Sequence, residues 1–287
     1  MRSKPHTSLA ALQWAASYLK EQGITEARLD AELLLAYCIK VDRFQLYLAP
    51  GRPLSGSEWD DYQTLVMLRG RRKPLQYILG KQEFMSLELQ VTPAVLIPRP
   101  DTEILVEAAL VWAGTQPRPL RILDLCTGSG AIGISLARYL EGVEVWAGDI
   151  SPAALKVARS NADRCGVIVN FAQGDLLTPF LGNRFHLVTS NPPYIPSPII
   201  PTLQPELAAE PQLALDGGSD GLDFYRRLAQ ELHLVLEPGG KIMLEIGWDQ
   251  GSEVESIFAG AGFCHLELLK DYGQRNRVLV GSGPRIL

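Results

Sequence analysis

The residues best equipped for chemistry are Asn191-Pro192-Pro193-Tyr194, directly after the apolar run Phe185-His186-Leu187-Val188. Two adjacent prolines lack amide donors, so they end a strand and cannot enter a helix interior. The stretch reads as a strand that stops on a side-chain amide and then holds its backbone still. That suits an acceptor carrying a planar NH₂ group, whose conjugated lone pair is a poor nucleophile. The Asn191 side-chain carbonyl and the Pro192 main-chain carbonyl can each accept one N–H. The lone pair is then aimed at an incoming electrophile, and developing charge is supported. Pro192 and Pro193 keep the carbonyl from turning away, and Tyr194 offers a flat face to a planar substrate. The expected reaction is group transfer to nitrogen, with the electrophile supplied by a cofactor.

A second constellation, Asp124-Leu125-Cys126-Thr127-Gly128-Ser129-Gly130, lies where an apolar strand gives way to a helix. Gly128 and Gly130 permit positive φ and close backbone approach to a ligand, and the helix N-terminus faces it. Asp149 ends the next strand, where a carboxylate can accept hydrogen bonds from ribose hydroxyls. Together these imply an adenosine-containing cofactor. Gly128-x-Gly130-x-x-Gly133 also satisfies the dinucleotide fingerprint, so nicotinamide chemistry stays open. Three features favour S-adenosylmethionine. Asp124 can help receive the cofactor's amino acid moiety, and Asp175 ends a third strand near the expected adenine edge. The proline-rich loop ends a fourth strand facing the same crevice. Methyl transfer is the reaction that uses all of these.

Other chemistries find little support. His6, His186, His233 and His265 are scattered without ligand spacing, so no metal is expected. Cys38, Cys126, Cys165 and Cys264 form no CxxC pair, which gives neither a zinc site nor a disulfide framework. A reducing cytoplasm is the expected compartment. The net charge of −5 argues against a general nucleic-acid surface. The basic run Arg69-Gly70-Arg71-Arg72-Lys73 reads as the cationic last turn of a helix, with a local binding patch as the alternative. The N-terminal apolar run is interrupted by Gln13 and flows into Lys20-Glu21 at helical spacing, so it reads as a first helix. No apolar stretch is long enough for a bilayer.

The elements that must position these residues follow from periodicity. With 287 residues, 46 % of them hydrophobic, the chain can build one large or two ordinary cores. Residues 1–73 repeat apolar positions at helical spacing, with a capping box at Ser55-Gly56-Ser57-Glu58, and read as a small helical bundle suited to docking a partner. Residues 74–95 read as a strand-bearing connector, because Phe84 to Val91 alternate. Residues 96–287 begin with a proline-punctuated loop and a helix near Asp101 or Thr102. Strands and helices then alternate, implying a mostly parallel sheet covered on both faces. Ser151, Pro152 and Gly166 mark one of its helices as N-cap, first turn and terminus.

The chain resembles the bacterial peptide chain release factor glutamine methyltransferases over nearly its full length. The matching stretches are PLQYILGKQEF (74–84), LIPRPDTEILVE (96–107), ILDLCTGSGAIGISLA (122–137), SNPPYIP (190–196), EPQLALDGGSDGLDFYR (210–226), LEPGGKIMLEIG (236–247) and DYGQRNRVLVG (271–281). The resemblance implies a Rossmann-like S-adenosylmethionine-dependent methyltransferase domain with a mostly parallel seven-stranded sheet. A helical domain and a β-hairpin connector would precede it. It further implies that the acceptor is the glutamine of the Gly-Gly-Gln loop of class I release factors, and that N5-methylglutamine is the product. In this reading Cys126 to Gly130 form the cofactor loop, Asp149 meets the ribose and Leu176 packs near the adenine. Asn191 touches cofactor and substrate, and residues 191–194 hold the glutamine. Arg99 and Glu103 fall in a matching stretch near the site, where a helix-cap salt link is the plain reading. Two departures are Cys126, where many members have glycine, and Leu176, where some have an aromatic residue. A monomer without direct nucleic-acid contact is expected. The alternatives are a nucleic-acid exocyclic-amine methyltransferase, which would share the Asn-Pro-Pro-Tyr loop, and a non-catalytic cofactor-binding module.

Overall fold

The computed structural model describes residues 7–283; residues 1–6, including His6, and 284–287 lie outside the described residues. The chain forms two compact units. One holds the residues up to Gly80 together with 204–209, and the other holds 81–203 and 210–287.

The first unit is helical: α1 (Ser8–Glu21), α2 (Ala27–Ile39), α3 (Arg43–Leu48), α4 (Gly56–Gly70) and α5 (Leu75–Leu79). Its caps follow from local chemistry. Thr7 accepts from the Ala10 amide, and Ser55 and Glu58 exchange capping-box hydrogen bonds. Leu12, Leu19, Leu35, Trp59, Tyr62 and Val66 fill the core. The buried Tyr62 hydroxyl donates to the Ala31 carbonyl at 2.9 Å. Two arginines of the basic run are taken up by carboxylates within this unit. Arg69 is buried and bonds Asp30 at 2.7 Å and Glu206 at 2.9 Å, and Arg72 bonds Glu206 at 2.7 Å.

The expected connector divides between the units. Leu75 packs in the helical core, so that unit runs on to Gly80, whose φ of 73° ends α5. Strands β1 (Lys81–Phe84) and β2 (Leu87–Gln90) belong to the second unit as an antiparallel hairpin. The alternation from Phe84 to Val91 is broken at Met85 and Ser86. These are turn residues with φ of 48° and 57°, the primed-turn conformation that matches strand twist. Glu103 accepts from the Met85 amide at 2.6 Å, and Tyr139 donates to the Met85 carbonyl at 2.5 Å. These bonds hold a turn that lacks the usual Asn-Gly.

The rest of the second unit comprises α6 (Pro100–Gly114), β3 (Leu120–Leu125), α7 (Ala131–Tyr139), β4 (Val143–Asp149), α8 (Pro152–Cys165), β5 (Asn170–Gln173), β6 (Phe185–Ser190), α9 (Asp223–Glu231), β7 (Leu236–Glu245), α10 (Gly251–Gly260), β8 (Cys264–Lys270) and β9 (Asn276–Ser282). The seven strands from β3 onward form one sheet in the order β5-β4-β3-β6-β7-β9-β8, and only the pairings of β9 are antiparallel. Strand order reverses at β3: β4 and β5 lie on one side of it, β6 and β7 on the other. In such sheets ligands bind outside the carboxyl ends at the reversal.

Side-chain alternation sets what faces what. Leu123, Leu125, Val188, Ile242 and Leu244 join one core cluster with residues of α9 and α10. Ile122, Leu187 and Met243 join another with residues of α6 and α7. Asp124, Thr189 and Glu245 share the parity of that second face.

Candidate active site

The carboxyl ends of β3, β4 and β6 border a cleft of about 260 Å³. Its lining includes Cys126, Thr127, Gly128 and Ser129 after β3, Asp149 at the end of β4, Asp175 and Leu176 beyond β5, and Asn191 and Pro193 after β6. The remaining wall is largely apolar, with Ala94, Val95, Leu96, Pro98, Leu213, Ala214 and Phe224. The cofactor constellation and the proline loop, distant in sequence, therefore meet in one cleft.

Asp149 ties the β3 turn to the end of β4. Its Oδ2 accepts from the Gly128 amide at 2.9 Å and its Oδ1 from the Ser151 amide at 2.9 Å. Burial raises its pKa, while those backbone donors oppose the rise. Each carboxylate oxygen carries two lone pairs, so both retain capacity for ribose hydroxyls. Gly128 and Gly130 adopt φ of 55° and 85°, and Cys126 and Leu176 also sit at positive φ, 55° and 46°. Asp175, half exposed, pairs with Arg227 at 2.7 Å, and both line the cleft. This combination of close-approach backbone, a carboxylate at the end of β4 and an adjoining apolar wall fits an adenosine-bearing cofactor.

Four expected contact residues do not line the cleft. Asp124 is fully buried beneath the turn, where it accepts from the Thr127 hydroxyl at 2.6 Å, the Gly133 amide at 3.1 Å and the Thr189 hydroxyl at 3.1 Å. Burial pushes its pKa up to about 7. Alternation turns it toward α7, so it shapes the turn from below. Gly130 caps α7, with its Cα toward Ile134, whose side chain a Cβ would meet at 2.6 Å. Pro192 is buried. Tyr194 packs against the core, and its hydroxyl donates to Glu245 Oε1 at 3.2 Å, so its ring is not a face of the cleft.

Cys126 lines the cleft, and burial pushes its thiol up to about 12, helped by the Asp149 charge. At about pH 8 such a thiol is roughly one part in ten thousand thiolate. Iodoacetamide is therefore expected to leave Cys126 unmodified there, as read by peptide mass spectrometry. Alkylation at the pace of a free cysteine would contradict the assignment.

Several supporting residues escaped sequence reasoning. After Tyr194 the chain pairs with residues 215–218: the Ile195 amide donates to the Leu215 carbonyl at 2.9 Å and the Gly217 amide to the Ile195 carbonyl at 2.9 Å. Gln250 donates to the Tyr194 carbonyl at 2.9 Å. The matching stretch LDGGSDG is thus the bed on which the proline loop rests. Gly221 has φ of 79°, and a Cβ there would stand 2.3 Å from the Tyr194 carbonyl oxygen. Gly221→Ala is expected to destabilise this unit by roughly 1–3 kcal/mol and to lower activity. Gly51→Ala, where a Cβ meets nothing within 4 Å, is expected to change neither; melting curves and turnover check both. Arg99 and Glu103 do not form the helix-cap link. Arg99 pairs with the buried Glu210, which also accepts from the Ile97 amide at 3.0 Å, and Glu103 serves the hairpin.

The PrmC N-terminal domain family matches residues 10–80 and a methyltransferase domain family matches residues 122–208. A release factor glutamine methyltransferase of Geobacter sulfurreducens is 43 % identical over 284 residues, covering 98 % of this chain and 99 % of its own. One from Moorella thermoacetica is 44 % identical over 270 residues, covering 93 % and 95 %. Among solved structures, a methyltransferase from Pyrococcus furiosus matches with a TM-score of 0.54 at 19 % identity, covering 70 % of this chain and 90 % of its own, a likeness of fold alone.

Proposed function

Since the chain belongs to the release factor glutamine methyltransferase family, we propose that its acceptor is the glutamine of the Gly-Gly-Gln motif in class I peptide chain release factors, methylated on the side-chain amide nitrogen to N5-methylglutamine. The protein is an S-adenosyl-L-methionine-dependent methyltransferase. That cofactor, when bound, supplies a methyl group on an electrophilic sulfonium. Residues 126–129 and Leu176 border its place, and Asp149 holds the ribose.

The observation that carries the reading is the position of Asn191. It follows β6 directly, on the cleft wall that Gly128 and Asp149 also form. Its Nδ2 donates to the Thr102 hydroxyl at 3.3 Å. The side-chain oxygen is thereby left to accept one N–H of the substrate amide. The other is assigned to the main-chain carbonyl of Pro192, which follows Asn191 directly although the residue is buried and does not line the cleft, and the bed of residues 215–221 keeps the loop from relaxing. The amide proton leaves to solvent after transfer, so the chain needs no general base. No helix among the described residues is long and apolar enough to cross a membrane. The protein acts as a monomer in the cytoplasm, with the helical unit docking the release factor.

Competition separates this reading from methylation of nucleic-acid amines. With labelled methyl donor and a mixture of unmethylated release factor and total RNA, label is expected in the protein fraction. Label in RNA would keep the nitrogen chemistry and overturn the acceptor.

A further inference from the structure

Glu245 ends β7, is fully buried, and has had no part in the chemistry so far. Its strand parity turns it toward α6, whose first turn carries Thr102. The carboxylate Oε1 accepts from the Tyr194 hydroxyl. The Thr102 hydroxyl is the other hydroxyl beside the carboxylate. Glu245 Oε2 itself is buried with no hydrogen-bond partner, which leaves it open to the proton of that neighbouring hydroxyl. Arg277 is the nearby cation, but its Nη2 is committed to Asp101 at 3.1 Å and Asp271 at 3.3 Å. A buried carboxylate left this incompletely paired is costly to the fold, and it touches both ends of the Asn191–Tyr194 segment through hydroxyls.

We propose that Glu245 is a positioning residue for methyl transfer: through the Thr102 hydroxyl it fixes the Asn191 amide with its oxygen facing the cleft, and through the Tyr194 hydroxyl it anchors the end of the same loop. The reason is directional. An ionised carboxylate only accepts hydrogen bonds, and a threonine hydroxyl has one proton. Beside Glu245 that proton goes to the carboxylate, so toward Asn191 the Thr102 oxygen can only accept. Thr102 therefore selects the nitrogen end of the Asn191 amide and leaves the oxygen end for the substrate. Glutamine at 245 would remove the constraint, because its NH₂ can donate to Thr102 and let Asn191 flip.

The proposal rests on the assignment of Asn191 as amide acceptor, and its test has two arms. The first needs no substrate. In ¹⁵N-labelled protein at about pH 8.5, where a buried carboxyl near 7 is ionised, the Asn191 side-chain amide is assigned by its absence from Asn191→Ala. The one proton that its nitrogen directs at the Thr102 oxygen is expected to exchange more slowly than a solvated amide proton in the wild type and in Thr102→Ser. That protection is expected to be lost in Thr102→Val and Glu245→Gln. In the second arm, Thr102→Val and Glu245→Gln each lower kcat roughly ten- to a hundredfold, with KM for release factor and cofactor affinity unchanged. The double variant is no slower than the worse single, and Thr102→Ser restores turnover. Protection unchanged in Glu245→Gln, or single losses that multiply, would overturn the proposal. A wild type that protects Asn191 but methylates no release factor would leave the relay standing and sink the proposed reaction.

Discussion

Asn191→Ala is expected to lower methyl transfer by roughly a hundred- to a thousandfold while cofactor affinity stays within about tenfold. The side chain lines the cleft, and its nitrogen is held by Thr102. In the proposed clamp, what the substitution removes is the oxygen that accepts one N–H of the acceptor. An amide nitrogen becomes nucleophilic only as its lone pair leaves conjugation, so support at the N–H strengthens toward the transition state and weighs on kcat. The cofactor keeps Asp149 and the 126–129 turn. Turnover under saturating cofactor, set beside calorimetric cofactor binding, checks both halves. If affinity and turnover fell together, Asn191 would be a cofactor residue and the carbonyl clamp would lose its central member.

Asp149→Ala is expected to show the reverse pattern, with cofactor affinity lowered by about a hundred- to a thousandfold. A hydrogen bond to a charged group contributes roughly 1.5–3 kcal/mol, and the ribose offers two hydroxyls, so about 3–4 kcal/mol is lost where the bonds are not fully additive. The substitution also frees the Gly128 and Ser151 amides, which now bond the two Asp149 oxygens, and so loosens the turn itself. Asp149→Asn keeps an acceptor and is expected to lose less. Titration calorimetry of both variants reads the order, and an Ala variant that binds as the wild type does would remove Asp149 from the cofactor site.

The two sites have opposite dependence on distant contacts, and this explains what the sequence revealed. The turn from Asp124 to Gly130 and the Asp149 carboxylate are local devices. Glycine spacing and a strand-ending acid mark them, and the structure brings them to one cleft. Asn191 and the prolines announced themselves because two adjacent prolines after an apolar run have few other uses. Strand β8 lies at the sheet edge with its residues only partly buried, so it carries little of the apolar signal that marks the inner strands. Met85 and Ser86 were read as strand because nothing in their types signals a primed turn; Glu103 and Tyr139, far along the chain, hold it. Asp124 and Tyr194 were read as facing the ligand because residue type says nothing of which face a side chain takes. Strand parity and the partners at Thr189 and Glu245 decide that. Thr102, Glu210 and Glu245 lie within matching stretches but nothing in their types shows what they bond, Gln250 lies in none, and all four act through residues between 51 and 113 positions away.

The proposed reaction is tested most directly by the intact mass of an unmethylated class I release factor after incubation with this protein and S-adenosylmethionine, followed by peptide mapping. A gain of one methyl group is expected, carried by the glutamine of the Gly-Gly-Gln peptide and absent with Asn191→Ala. A release factor whose mass does not change, or a methyl group on another residue, would contradict it.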